Sequence, residues 1–448
     1  MAKILIVGGD AAGMSAASKI RRSMPDAEMI VFEKGEHISF AACGMPYWIG
    51  GVIEDGSKLQ VLTPEVARQK RNIDVRILHE VTMIDSNNKR ISVRHIESGD
   101  VFEETYDLLL IATGARAVLP PFPGVDSPGV FSLRSLKDGH QISSYLNENK
   151  IKHATVIGGG YIGLEMAENF LHRGIEVTMI EMLDQIAATF DKDVLESVTE
   201  HVREMGVDLR LEARVNGIEQ TETGLKILST GGDIQTDLVI VSTGVRPNSE
   251  LAKEAGLDLG ESGAISIDAY MKTSDPYIYA AGDCAEHNHL VTEKPIWIPL
   301  APSANKGGRI AGENMSGGNT PFPGILGTAV VKVFDYTIAQ TGLTMKQALQ
   351  TYSAEEIDST TITAGSKAHY YPGSTPVSIK LVVEKSNKRL LGAQMIGKSD
   401  IAKRLDVFAT AITAKMTVED IAMLDLSYAP PFAPVYDPIH VAANVANK

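Results

Sequence analysis

The stretch that most constrains the fold is "HATVIGGGYIGLEMAENFLHRGIEVTMIEM", His153 to Met182. An apolar run leads into three glycines, Gly158, Gly160 and Gly163. An amphipathic helical pattern follows, then a second apolar run ending at Glu181. That order predicts a buried parallel strand, a tight turn, a helix and a second parallel strand, so an α/β fold. Each glycine has a purpose: the turn itself, close approach of a pyrophosphate to backbone, and close helix–strand contact. Free N–H groups and the dipole at the helix start favour phosphate. Glu181 is expected to accept hydrogen bonds from an adenosine ribose. A 2′-phosphate would meet its charge, and "EMLDQIAATFDKD" after it offers no arginine. NADH is therefore expected over NADPH.

The same order occurs earlier. "KILIVGGDAAGMSAASKIRR" (Lys3 to Arg22) is followed by "EMIVFEKG", whose strand ends at Glu33. Gly8 stands first and Gly13 last, with Asp10 where the middle glycine is usual. Two later strands also match: "YDLLLIATGARAVLP" ends at Thr113-Gly114, and "TDLVIVSTGVRPNSE" at Thr243-Gly244. A duplicated nucleotide-binding module accounts for both pairs. A further strand, "PYIYAAGDCAE", ends at Gly282-Asp283. Asp283 fits either the ribityl or phosphate end of a flavin or a plain turn aspartate.

With 448 residues the chain is expected to form two or three domains. Its net charge of -14 disfavours nucleic acid and anionic membranes as partners. The N-terminus enters a strand directly and has no signal-peptide pattern, and no run of apolar residues is long enough to span a membrane. Two cysteines make no disulfide framework, so a reducing, cytoplasmic setting is expected. The histidines lack zinc-ligand spacing, so no metal is expected.

One of the cysteines, Cys43, lies in "SFAACGMPYWIGG". It reads either as a small buried hydrophobe or as a reactive thiol beside a cofactor. Cys284, in the "GDC" segment, reads as a packed small residue.

Taken together, these motifs resemble the two-dinucleotide flavoprotein disulfide reductases over essentially the whole chain. The resemblance implies two Rossmann-like dinucleotide-binding domains, one inserted in the other, plus a C-terminal α+β dimerisation domain. The implied FAD domain is discontinuous, 1–115 and 245–323; the NAD(P)H domain is 116–244 and the dimerisation domain 324–448. FAD would contact Gly8, Gly9, Asp10, Ala11, Ala12, Gly13, Glu33, Lys34, Cys43, Val81, Ala112, Thr113, Gly114, Asp283 and Ala301. The nicotinamide nucleotide would contact Gly158, Gly160, Tyr161, Ile162, Gly163, Glu181 and Gly244.

The general disulfide reductases carry a second cysteine five residues after the first; here that place is Trp48. Ser39, Phe40, Cys43, Gly44, Pro46 and Tyr47 instead resemble the single-cysteine branch. That branch contains coenzyme A-disulfide reductases, persulfide and polysulfide reductases, NADH oxidases and NADH peroxidases. The oxidases and peroxidases typically carry histidine in the first glycine loop where this chain has Ala11. The tail "LSYAPPFAPVYDPIH" resembles the coenzyme A branch, with Tyr428 as its tyrosine, and "HYYPGSTP" resembles a second tyrosine segment offering Tyr370 or Tyr371. In that branch the tyrosines reach the partner subunit's cysteine, which implies a homodimer with shared sites. Coenzyme A would be the substrate, or a mixed disulfide on Cys43. Arg21, Arg22 and Ser39 are its candidate contacts, with a solvated face as the other reading of the arginine pair. Ala42 departs from the asparagine often found before the cysteine. The implied activity is FAD-dependent NAD(P)H:disulfide reduction of the EC 1.8.1 type. NADH oxidase activity, or slow-turnover redox sensing, is the alternative. A charged nicotinamide ring and an oxidised flavin are expected to lower the Cys43 pKa.

Overall fold

The computed structural model describes residues 2–448. Two parallel five-stranded sheets repeat one plan. In the first, the strand Lys3–Val7 lies between Glu28–Phe32 and Leu108–Ile111, with Asp74–Arg76 and Ile278–Ala280 at the edges. In the second, His153–Ile157 lies between Glu176–Ile180 and Leu238–Val241. The central strands are almost wholly buried, as strands covered on both faces must be. Each module also has a three-stranded antiparallel sheet, from His79–Asp85 through Val101–Thr105 in one and from Val215–Thr221 through Ile234–Thr236 in the other. The chain passes between modules along two short strands, Ala115–Ala117 and Val245–Pro247, which pair antiparallel.

The third sheet is antiparallel, in the order Ala329–Val333, Tyr336–Gly342, Leu390–Gly397, Pro376–Glu384 and Ile357–Gly365. Helices Ile401–Thr413 and Pro438–Ala446 pack on it. The α/β class, the two Rossmann-type modules and the α+β C-terminal domain all agree with the sequence. The segment "DIAKRLDVFATAITAKMTVEDIAML" forms two helices, Ile401–Thr413 and Val418–Ala422. Lys415 is in the left-handed region at φ 56°, and Thr417 caps the second helix. A left-handed residue ends a helix.

The second module is tied into the C-terminal domain by a buried polar lock. Asp191 lies in the segment after Glu181. It accepts from the Met345 and Lys346 amides at 3.0 and 3.2 Å and from Gln394 Nε2 at 2.7 Å. Lys380 Nζ stands 3.2 Å from Asp191 and 2.7 Å from Asp193. Asp191, Lys380 and Gln394 are all buried. Among the described residues no helix is long and apolar enough to cross a membrane.

Candidate functional site

Both glycine loops are built alike. Gly8 and Gly158 have φ of 108° and 107°, a left-handed backbone open to glycine. A Cβ on Gly8 would fall 2.2 Å from the Ala112 carbonyl oxygen, and one on Gly13 1.9 Å from the Gly8 carbonyl oxygen. The second loop has the same contacts, Gly158 against Ser242 at 2.5 Å and Gly163 against Gly158 at 2.1 Å. The middle glycine differs. A Cβ on Gly160 would meet nothing within 4 Å, so no packing in the chain requires glycine there. Open space beside a loop amide is what a pyrophosphate needs.

The strand-end acids do more than the sequence suggests. Glu33 accepts from Gly9 N at 2.8 Å and Gly35 N at 2.7 Å. Glu181 accepts from Gly159 N at 2.7 Å and Leu183 N at 2.8 Å. Each acid braces its own loop, and each carboxylate oxygen keeps a further lone pair for a ribose hydroxyl.

Four long helices begin without a side-chain cap or an acid in the first turn: Ala11–Ser23, Tyr161–His172, Ala301–Met315 and, in the C-terminal domain, Ile401–Thr413. Other helices, such as Leu136–Glu148 with its Ser135 capping box, satisfy their own amides. The first and third run side by side in parallel. Gly308 and Gly312 lie against the Ala12 and Ala16 backbone, where a Cβ would approach to 2.2 and 2.7 Å. Their free N–H groups therefore serve the same end of the first module, and they suit the phosphates of FAD. Asp10 stands at the start of the first of them and accepts from the Phe40 amide at 3.3 Å. Burial pushes its carboxyl up to about 6.

Cys43 is accessible and lies in the turn Ala42–Gly44, just before the helix Met45–Ile49. Ser39, left-handed at φ 45°, donates its amide to the Gly9 carbonyl at 3.0 Å and ties the segment to the first loop. Trp48 is a packing residue, set against Gly56 and Gly139. Cys284 is fully buried and donates to the carbonyls of Ile111 and Ala281. Cys43 is exposed, yet partial desolvation of its thiol raises its pKa. Glu165 and Asp283 also raise it, and Arg134 lowers it. The protein's own groups thus oppose the depressed pKa expected from the sequence; any lowering has to come from bound cofactors.

Two members of this cluster, Arg134 and Glu165, were not singled out in the sequence, and a third, Tyr47, was read only as part of the motif around Cys43. Arg134 donates to Asp283 at 2.8 Å and to the Ala115 carbonyl at 3.1 Å. Tyr47, one helical turn from Cys43, donates to Glu165 Oε1 at 3.3 Å. Burial holds Glu165 up at about 7. Glu165 had one legible signal, an acid two residues past Gly163 on a mostly apolar helix face. Arg134 had none. Since Glu165 is neutral in the buried state below pH 7, its contribution to stability is full at low pH and is lost as the pH rises through about 7. Its charge also opposes the thiolate. Glu165→Gln is therefore expected to speed iodoacetamide alkylation of Cys43 at pH 8 by roughly threefold to tenfold. An unchanged or slower rate would remove Glu165 from the control of the thiol.

Tyr370 and Tyr428 lie on the C-terminal domain with hydroxyls 3.4 Å apart, both exposed. They line a cavity of about 440 Å³ with Lys367, His369 and Tyr436. Tyr371 stands apart, its ring 6.0 Å from Lys367 Nζ. The charged groups that act most on Cys43 within the chain, Glu165, Arg134 and Asp283, all lie outside the C-terminal domain. Arg21 is tied to its own chain, donating to the carbonyls of Pro25 and, at 3.0 Å, Ala27. Arg22 is exposed.

Residues 2–308 match the model of the pyridine nucleotide-disulphide oxidoreductases, and residues 328–438 match that family's dimerisation domain. The chain belongs to this family. Among its relatives, a CoA-dependent NAD(P)H sulfur oxidoreductase of Pyrococcus furiosus is 42% identical, over 99% of this chain and 98% of that protein. A coenzyme A disulfide reductase of Staphylococcus epidermidis is 34% identical, over 98% and 99%. The crystal structure of reduced Bacillus anthracis CoADR-RHD superposes with a TM-score of 0.96 at 42% identity, over 100% of this chain and 80% of that one. In this family setting, the two uncapped helix ends and Glu33 fit FAD in the first module, and the open Gly160 loop fits a nicotinamide nucleotide in the second.

Proposed function

We propose that the protein is a FAD-dependent NADH:disulfide reductase that works through one sulfur, Cys43, on coenzyme A disulfide and related small disulfides or persulfides. The observation that carries this reading is the isolation of that sulfur. Cys43 is accessible where the two nucleotide modules meet, and the only other thiol is buried and bonded elsewhere. A disulfide at Cys43 must therefore be made with a thiol from outside the chain. The names of the relatives above point to coenzyme A and to persulfide sulfur as that partner.

Bound FAD would supply the two-electron link between NADH and sulfur. The chain's own residues do the rest. The first-module helix ends, Glu33 and Asp283 hold the flavin nucleotide; the Gly158 to Gly163 loop and Glu181 hold NADH. Reducing the Cys43–S–S–R bond with two electrons and one proton gives the Cys43 thiolate and R–SH. That thiolate attacks the next R–S–S–R, forms the mixed disulfide again and releases a thiolate. Tyr428, with Tyr370 beside it, donates the proton that the leaving sulfur needs. These tyrosines act across a two-fold axis on the Cys43 of a second copy, so the working unit is a homodimer with shared sites. Arg22 and Ser39 are the contacts for the phosphates and the arm of coenzyme A.

The test is steady-state turnover with each electron acceptor. NADH oxidation should depend on coenzyme A disulfide or persulfide, and kcat/KM should favour NADH over NADPH by roughly 5- to 150-fold, the equivalent of about 1–3 kcal/mol. NADH oxidation matched by oxygen uptake and indifferent to disulfide would replace this reading with an oxidase.

A further inference from the structure

Arg404, on the helix Ile401–Thr413, is buried, and so is Asp437 beside it. Its Nε donates to both oxygens of Asp437, at 3.2 and 2.9 Å. Its Nη2 donates to two carbonyls at once, Ser366 at 2.9 Å and Phe432 at 3.3 Å. Those carbonyls belong to segments far apart in sequence. Ser366 lies four residues before Tyr370, and Phe432 four residues after Tyr428. Asp437 in turn accepts from the Ile439 amide at 3.0 Å, which fixes the end of the second segment at the start of Pro438–Ala446. Thus one guanidinium joins the two backbones that bring the tyrosine hydroxyls to 3.4 Å from each other.

As a stabilising device this arrangement is poor. Arg404 Nη1 is buried without an acceptor, and a buried ion pair gains little over apolar residues of the same volume. What it does supply is geometry. A planar guanidinium fixes the directions of its donors, which an ammonium does not. We infer that Arg404 is a positioning residue for disulfide reduction, holding Tyr370 and Tyr428 as a pair. The inference rests on the proposed role of those tyrosines.

A double-mutant cycle in the FAD-loaded dimer tests it. Arg404→Lys keeps a charge for Asp437 but cannot span both carbonyls. Alone, it should lower kcat for disulfide reduction roughly 10- to 100-fold and leave the KM for NADH and the rate of flavin reduction by NADH unchanged. Arg404→Met should behave alike where it folds. Added to a Tyr370→Phe/Tyr428→Phe chain, Arg404→Lys should cost no more than about twofold, because the groups it positions are already gone. Wild-type turnover in Arg404→Lys, or losses that multiply in the combined variant, would overturn the inference. A Tyr370→Phe/Tyr428→Phe chain with full activity would also overturn it, by showing instead that the tyrosines themselves do not act.

Discussion

Replacing Cys43 by serine is expected to abolish disulfide and persulfide reduction, with kcat lower by roughly 10⁴-fold or more, the scale seen when a covalent nucleophile is removed. The rest of the molecule should hardly notice. The Cys43 side chain is accessible and fills no core position. The turn that carries it is fixed by backbone bonds, Ala41 N to Leu59 O at 2.8 Å and Gly44 N to Ala41 O at 2.9 Å. FAD content, NADH affinity and flavin reduction by NADH should therefore be retained, as rapid mixing would show. The same spectra would reveal oxygen uptake that does not need sulfur. Mass spectrometry of the wild-type protein purified without reductant identifies the partner thiol: a coenzyme A adduct, or added sulfur atoms, on Cys43. If Cys43→Ser keeps its disulfide turnover, the thiol is only a small residue in a turn and the proposed chemistry fails.

Tyr428→Phe is the second large effect. Loss of a general acid typically costs roughly 10²- to 10⁴-fold, and the loss should appear in kcat, since phenylalanine keeps the ring in place. The phenol belongs to the C-terminal domain, whereas the charged groups that act most on Cys43 within its own chain, Glu165, Arg134 and Asp283, all lie outside that domain. Equal amounts of Cys43→Ser and Tyr428→Phe chains, exchanged into mixed dimers, should therefore recover about a quarter of wild-type activity. Half the dimers are then mixed, and one of the two sites in each has an intact cysteine and an intact tyrosine. With exchange confirmed, no recovery would place both groups in one subunit.

The parts of the fold legible in the sequence were those where a single residue states a backbone demand. Gly8 and Gly158 require positive φ, Gly13 and Gly163 admit no Cβ, and the mostly apolar central strands require cover on both faces. Such demands are local, so they survive in a linear reading. The cluster around Cys43 is different. Arg134, Tyr47 and Glu165 come from separate elements, and each is a residue type that a surface also uses. Docking of helix Met45–Ile49 against Tyr161–His172, where the Arg173 guanidinium bonds the Ile49 carbonyl at 2.8 Å, brings Tyr47 and Glu165 together, and Arg134 is set by its bonds to Asp283 and the Ala115 carbonyl. The Arg404 bridge is hidden for the same reason: it acts on carbonyls, which carry no sequence signature.

The buried lock at Asp191 limits how this molecule can be re-engineered. The second module looks portable, since it is inserted as one block and entered through two short paired strands. A chimera made by exchanging that block for one with another coenzyme preference would still carry Lys380 and Gln394 in the host. Without acids at positions 191 and 193, Lys380 would be left as an uncompensated buried cation, at a cost of about 3–5 kcal/mol. Grafts that bring their own aspartate, or that replace Lys380 and Gln394 along with the block, should give folded protein where simple swaps give aggregates.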